Sequence, residues 1–166
     1  MGNNMTKCNS ELMKEIKILE AKKDDILSTE EEECMITYVE GEKKMKSDYN
    51  YEETRAKVEE IDTRIRRYKA LLAYSNATTI VPEFNMTIGE CLVYLAQLNG
   101  KRMLLQRYSS FKQVSRISSD YSDKVEFKET LFNVKKVREE LDELLNLIAQ
   151  LQMAIDRTNL TNQIEL

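Results

Sequence analysis

The sequence has no histidine and no tryptophan, and only one proline, four glycines and three cysteines in 166 residues. Each scarcity removes a class of function. Without histidine the commonest general base and the commonest zinc ligand are gone. A carboxylate metal site of the helical-bundle kind wants Glu-x-x-His pairs, and none can form. The glycines, Gly2, Gly41, Gly89 and Gly100, are isolated, so there is no phosphate-cradling loop. Cys8, Cys34 and Cys91 are odd in number and widely spaced, which fits neither a disulfide framework nor a metal knuckle. Reduced thiols in a cytoplasmic protein are the expectation. No apolar run approaches the roughly 18 residues of a membrane span, and the polar stretch Met1–Lys17 has no signal core. A net charge of -4 provides no general basic field for nucleic acid. No cofactor and no catalytic group is implied, and a non-enzymatic protein is expected.

What the sequence has in abundance is charge, 33% of residues, set in helical periodicity. Val134, Val137, Leu141, Leu144, Ile148, Leu151 and Ile155 follow one another at alternating spacings of three and four. They predict a long helix over about 129–157 with one apolar stripe. Val58, Ile61, Ile65, Tyr68 and Leu72 repeat the pattern in a helix from the Asn50 cap to about Asn76, where Pro82 follows shortly. Thr87 and Glu90 form a capping box for a third helix carrying Ile88, Leu92, Leu95, Leu98, Leu104 and Leu105. A first helix over 10–28 has Leu12, Ile16, Leu19 and Ile26 on one face. The acidic run Thr29–Glu33 reads as a solvated helix end, and Cys34–Val39 as a short strand or extended arm before a Glu40-Gly-Glu42 turn. The alternation in Lys124–Lys128 predicts a short strand.

The expected fold is mainly α: a bundle of long antiparallel helices with coiled-coil-like packing and one or two short β-strands. A single domain spans 1–166, with a flexible N-terminus over 1–9 and a long connecting arm over 29–49, longer than most loops of compact domains. The second and fourth helices, each roughly 40 Å long, are expected to pair in parallel, with the basic cluster around Lys135 beside Glu59 and Glu60. Apolar residues flanking the main stripes, Leu145 and Leu147 on one helix and Leu104 and Leu105 on another, predict self-association as symmetric dimer units.

The polar helix ends are the candidate site. Tyr74-Ser-Asn-Ala-Thr78 closes the second helix and Asp156-Arg-Thr-Asn-Leu-Thr161 the fourth. With the second and fourth helices parallel, Asn76, Thr158 and Asn159, joined by Tyr121 and Ser122, form a ligand-binding candidate. Helix C-capping is the ordinary alternative use of such side chains. Asn-x-Thr triplets at Asn4, Asn76, Asn85 and Asn159 are read as chance matches to a glycosylation signal.

The order of these features resembles the septicolysin-like family of short bacterial helical proteins. The resemblance covers roughly Glu11 to Leu166. It is carried by Asp120-Tyr-Ser-Asp-Lys-Val-Glu-Phe127 and by Arg157-Thr-Asn-Leu-Thr161 with the closing Ile164-Glu-Leu166. The chain departs from the family pattern in a polar stretch before Glu11, and in having Leu160 where a tryptophan is expected nearby. The family label implies a lysin. The absence of an apolar span or a long amphipathic hairpin speaks against membrane insertion. Three readings follow: a self-assembling or interaction protein without membrane or nucleic-acid partners, a small-ligand module at the polar helix ends, and a lysin-type toxin.

Overall fold

The computed structural model describes residues 6–117 and 125–166. Its elements in chain order are β1 (Thr6–Lys7), α1 (Asn9–Glu33), α2 (Tyr51–Thr78), β2 (Ile80–Val81), β3 (Met86–Thr87), α3 (Ile88–Ser109), β4 (Val114–Ile117), β5 (Glu126–Glu129), α4 (Val134–Thr161) and β6 (Ile164–Glu165). The mainly α class is as expected. The strands form three short antiparallel pairs, β1 with β6, β2 with β3 and β4 with β5. The chain divides into two compact units, one of residues 1–79 with 159–166 and the other of residues 80–158.

In the first unit, α1 and α2 lie antiparallel. The ion pairs run in opposite order along the two helices: Glu20 with Lys69, Asp62 with Lys23, and Glu30 with Arg55. Ile16 and Leu19 pack against Ile61 and Ile65, with Ile26, Tyr68 and Leu72 at the margins. The expected Asn50 cap is present: its Oδ1 accepts from the backbone N–H groups of Glu52 and Glu53, at 3.0 and 3.3 Å. Helix α1 continues through the acidic run to Glu33. Glu31, Glu32 and Glu33 stand in solvent, whereas Glu30 is half-buried against Arg55 and Tyr49. Cys34–Val39 forms no strand and is an extended arm. The turn beyond it is closed by Glu42 N–H donating to the Val39 carbonyl at 3.1 Å, and Gly41 supplies the left-handed φ of +86°.

In the second unit, α3 and α4 also run antiparallel, marked by the Lys101–Glu140 ion pair and the Arg138 Nε bond to the Ser109 carbonyl. Every residue of the long heptad is buried or half-buried. Leu144, Ile148, Leu151 and Ile155 meet Ile88, Cys91, Leu98 and Leu105, and Val81 of β2 closes the cluster. The Thr87–Glu90 capping box is in place, and Met86 joins the same cluster as Cys91. Between β2 and β3 the chain reverses over Pro82–Asn85, with Asn85 at φ +50°.

Three expectations are corrected. The second helix takes α1 as its partner and the fourth takes α3, because every apolar stripe here satisfies the same heptad rule and exposed charges discriminate weakly. The fourth helix begins at Val134, not near 129. Asn133 Oδ1 accepts from Lys136 N–H at 3.1 Å, the Gln113 side chain receives Val134 N–H at 3.1 Å, and Glu129 belongs to β5. Leu105 is core and Leu147 lines its margin, so of the four flanking leucines only Leu104 and Leu145 remain exposed.

Candidate functional site

A network of neutral amides sits where the ends of the first unit's chain segments converge. Strands β1 and β6 pair Thr6 with Glu165 and Lys7 with Ile164. Extending that register by two residues brings Asn9 opposite Asn162. There the backbone has already turned into α1, so the Asn162 side chain continues the ladder. Its Oδ1 accepts from Asn9 N–H at 3.1 Å, and its Nδ2 donates to Asn9 Oδ1 at 2.9 Å. The other Nδ2 hydrogen reaches Ser75 Oγ at 3.0 Å, and Ser75 Oγ lies 3.2 Å from Thr79 Oγ1.

Asn9 is 1% exposed. Its Nδ2 donates to Asn159 Oδ1 at 2.9 Å and to Asn76 Oδ1 at 3.4 Å. With Asn162 as donor to Oδ1, both amide hydrogens and the amide oxygen of Asn9 are engaged, which makes its burial tolerable. Beside it, the Cys8 N–H donates to Glu11 Oε2 at 2.8 Å. This bond holds the Glu11 carboxyl below its ordinary value.

The two predicted residues Asn76 and Asn159 are therefore brought to one place. Thr158 is buried and bonds its own helix, Oγ1 to the Ala154 carbonyl at 2.9 Å. Tyr121 and Ser122 lie outside the described residues. Asn9 and Asn162 were not anticipated, and Ser75 was anticipated only as part of the Tyr74–Thr78 helix end. Asn9 and Asn162 are 153 positions apart, and only the short Ile164-Glu-Leu166 apolar alternation hinted at a strand that would join them. The network joins side-chain amides to the Ser75 and Thr79 hydroxyls. Chemically such an arrangement can hold chain segments together and read a polar group.

Two other features of the surface are distinct. At the far end of the α1–α2 pair, an open polar cavity of about 320 Å³ is lined by residues including Lys22, Asp25, Glu30, Tyr49 and Glu53. Tyr49 Oη donates to Glu30 at 2.6 Å and anchors the end of the arm, and burial pushes its hydroxyl pKa up. In the second unit, Tyr108, Phe111 and Phe132 form an aromatic group, with centroids 5.2 Å apart for Tyr108 and Phe132. Among the described residues no group of three or more His, Cys, Asp or Glu side chains is placed to hold a metal ion. No helix among them is long and apolar enough to cross a membrane.

No family model matches the chain, and no curated protein matches it. Among solved structures it is similar to a functionally unknown conserved protein from Corynebacterium diphtheriae. The TM-score is 0.66 at 18% identity, over 97% of this chain and 100% of that one. A likeness at this identity shows a shared fold and nothing of activity.

Proposed function

We propose that the chain is a non-enzymatic, self-associating helical protein. The observation that carries this reading is the two-faced character of α3. One face, Ile88, Cys91, Leu98 and Leu105, is buried in the second unit's core. Another, with Leu92, Val93, Met103 and Leu104, is open to solvent at 44%, 61%, 69% and 44% exposure. A helix that only covers its own core needs one apolar stripe, and a second exposed one marks a further partner surface. Light scattering at micromolar concentration tests it: a dimer or higher species is expected, and a stable monomer overturns the reading.

A cytoplasmic, reducing setting belongs to the same proposal, supported by three unpaired cysteines of which two are buried. The septicolysin-like kinship is likewise proposed, on the sequence features alone. Liposome leakage tests the lysin that the family label implies, and none is expected. A second reading, a small-ligand module, draws on the meeting of Asn76 and Asn159 around Asn9. It requires a specific rise in melting temperature with a polar small molecule. The saturated bonding of Asn9 favours a structural clasp instead.

A further inference from the structure

The exposed face of α3 has an internal order. Gly89, Val93, Ala96, Gly100, Met103 and Arg107 succeed one another at spacings of four, three, four, three and four. This is a second heptad line on a helix whose first line is already buried. All but half-buried Gly89 are exposed.

The line has a pseudo-twofold symmetry about the level of Leu98. Val93 corresponds to Met103, Ala96 to Gly100, and the flanking Leu92 to Leu104. An antiparallel pairing with the same helix of another copy matches large apolar residues with large and small with small. A twofold interface has this self-complementary form.

Charge selects the same orientation. Glu90 lies at the N-terminal end of the face and Arg107 at the C-terminal end. Antiparallel copies set Glu90 within one position of Arg107 of the other copy, whereas parallel copies set like charge beside like. Antiparallel packing also opposes the helix dipoles.

Gly100 provides an independent argument. It is exposed, mid-helix, and has no left-handed φ. A Cβ built there meets no side chain or other backbone within 4 Å. Glycine weakens a helix relative to alanine, and no contact among the described residues requires it. Close approach of another backbone would.

We propose that this face binds a second copy of the chain, α3 against α3 and antiparallel, with Ala96 of each copy against Gly100 of the other. The proposal rests on the self-association reading above and fixes its geometry.

The test uses the full chain. Sedimentation velocity compares wild type with Val93→Glu, Gly100→Leu and Gly100→Ala. Val93→Glu should weaken the dimer by about a hundredfold, because it carries an unpaired carboxylate into an apolar seam. Gly100→Leu should do likewise by preventing close approach, with helical content by circular dichroism retained. Gly100→Ala should weaken the dimer while raising the monomer's melting temperature, a pair of opposite signs that mere misfolding does not produce. In a Cys34→Ser background, oxidising a mixture of Ala96→Cys and Gly100→Cys chains should yield a cross-linked heterodimer, and an Ala149→Cys chain should not cross-link. A dimer that survives Gly100→Leu and gives no cross-link overturns the α3 pairing and leaves self-association standing. A monomeric wild type overturns both. If Val93→Glu does not fold, Gly100→Leu and the cross-link decide the matter.

Discussion

Asn9 ties four segments with one side chain and one backbone N–H: the start of α1, the end of α2 at Asn76, the end of α4 at Asn159, and the tail at Asn162. Replacing it by alanine leaves three half-buried amides, those of Asn76, Asn159 and Asn162, short of a partner. The expected loss is about 2–4 kcal/mol, several hydrogen bonds with incomplete rescue by water. Asn76→Ala removes only the longest of these bonds, 3.4 Å, and is expected to cost under about 1 kcal/mol. Urea unfolding of the two variants checks the ranking, and equal losses would show that Asn9 is not the hub. The cysteines give a second residue-scale prediction. Cys34 is exposed, while Cys8 and Cys91 are buried, and burial raises the Cys91 thiol. A thiol reagent should label Cys34 rapidly in the native protein and the other two only after denaturation. Rapid native labelling of Cys91 would contradict the core assigned here.

At the scale of elements, the start of α3 rests on a reciprocal cap. Glu90 N–H donates to Thr87 Oγ1 at 3.1 Å, and Thr87 N–H donates to Glu90 Oε2 at 2.7 Å. Thr87→Ala is expected to lower stability by about 1 kcal/mol. The backbone hydrogen bond from Thr87 holds the Glu90 carboxyl below its ordinary 4.5. A lowered folded pKa means that the folded state favours the anion. Its stabilisation is complete above the ordinary value and disappears as pH falls through the lowered one. Glu90→Gln should therefore flatten part of the acid limb of stability, measured as the difference in urea midpoint between neutral and acid solution. An unchanged difference would sink the assignment. Within the α3–α4 core, Leu151 is 0% exposed, and Leu151→Ala should cost about 2–5 kcal/mol through lost transfer energy and a residual cavity. A thermal or urea melt reads this directly.

For the whole molecule, the prediction is mass action. A chain that self-associates through its native surface is stabilised by its own concentration, so its melting temperature should fall as the protein is diluted. A concentration-independent melt in wild type, matched by Gly100→Leu, would count against association. The two-unit division carries a separate expectation about local opening. Ile61→Ala lies in the small α1–α2 cluster and should speed amide exchange in residues 9–79 before it affects α3, since cooperative units open contiguously.

The capped starts at Asn50 and Thr87, the end of α2 before Pro82, and the buried stripe from Val134 to Ile155 were all legible in the sequence. They rest on contacts within a few residues, where type and spacing leave little choice. The strand pairs were mostly illegible, because two-residue strands have too few side chains to show alternation. The start of α4 was misplaced for a related reason: its cap is completed by Gln113, 21 residues upstream. Of the candidate site, Asn76 and Asn159 were visible as polar ends of apolar helices, whereas Asn9 and Asn162 looked like ordinary polar residues near the chain ends.

By itself the sequence determined that four amphipathic helices form, where their apolar stripes lie, and that histidine-based and glycine-loop chemistry is absent. Only the tertiary structure decided that α1 pairs with α2 and α3 with α4, and that the amides converge on Asn9. The physical reason is degeneracy. Any heptad stripe can pack on any other at similar energy, and an amide's partner is set by chain reversals that local periodicity does not encode.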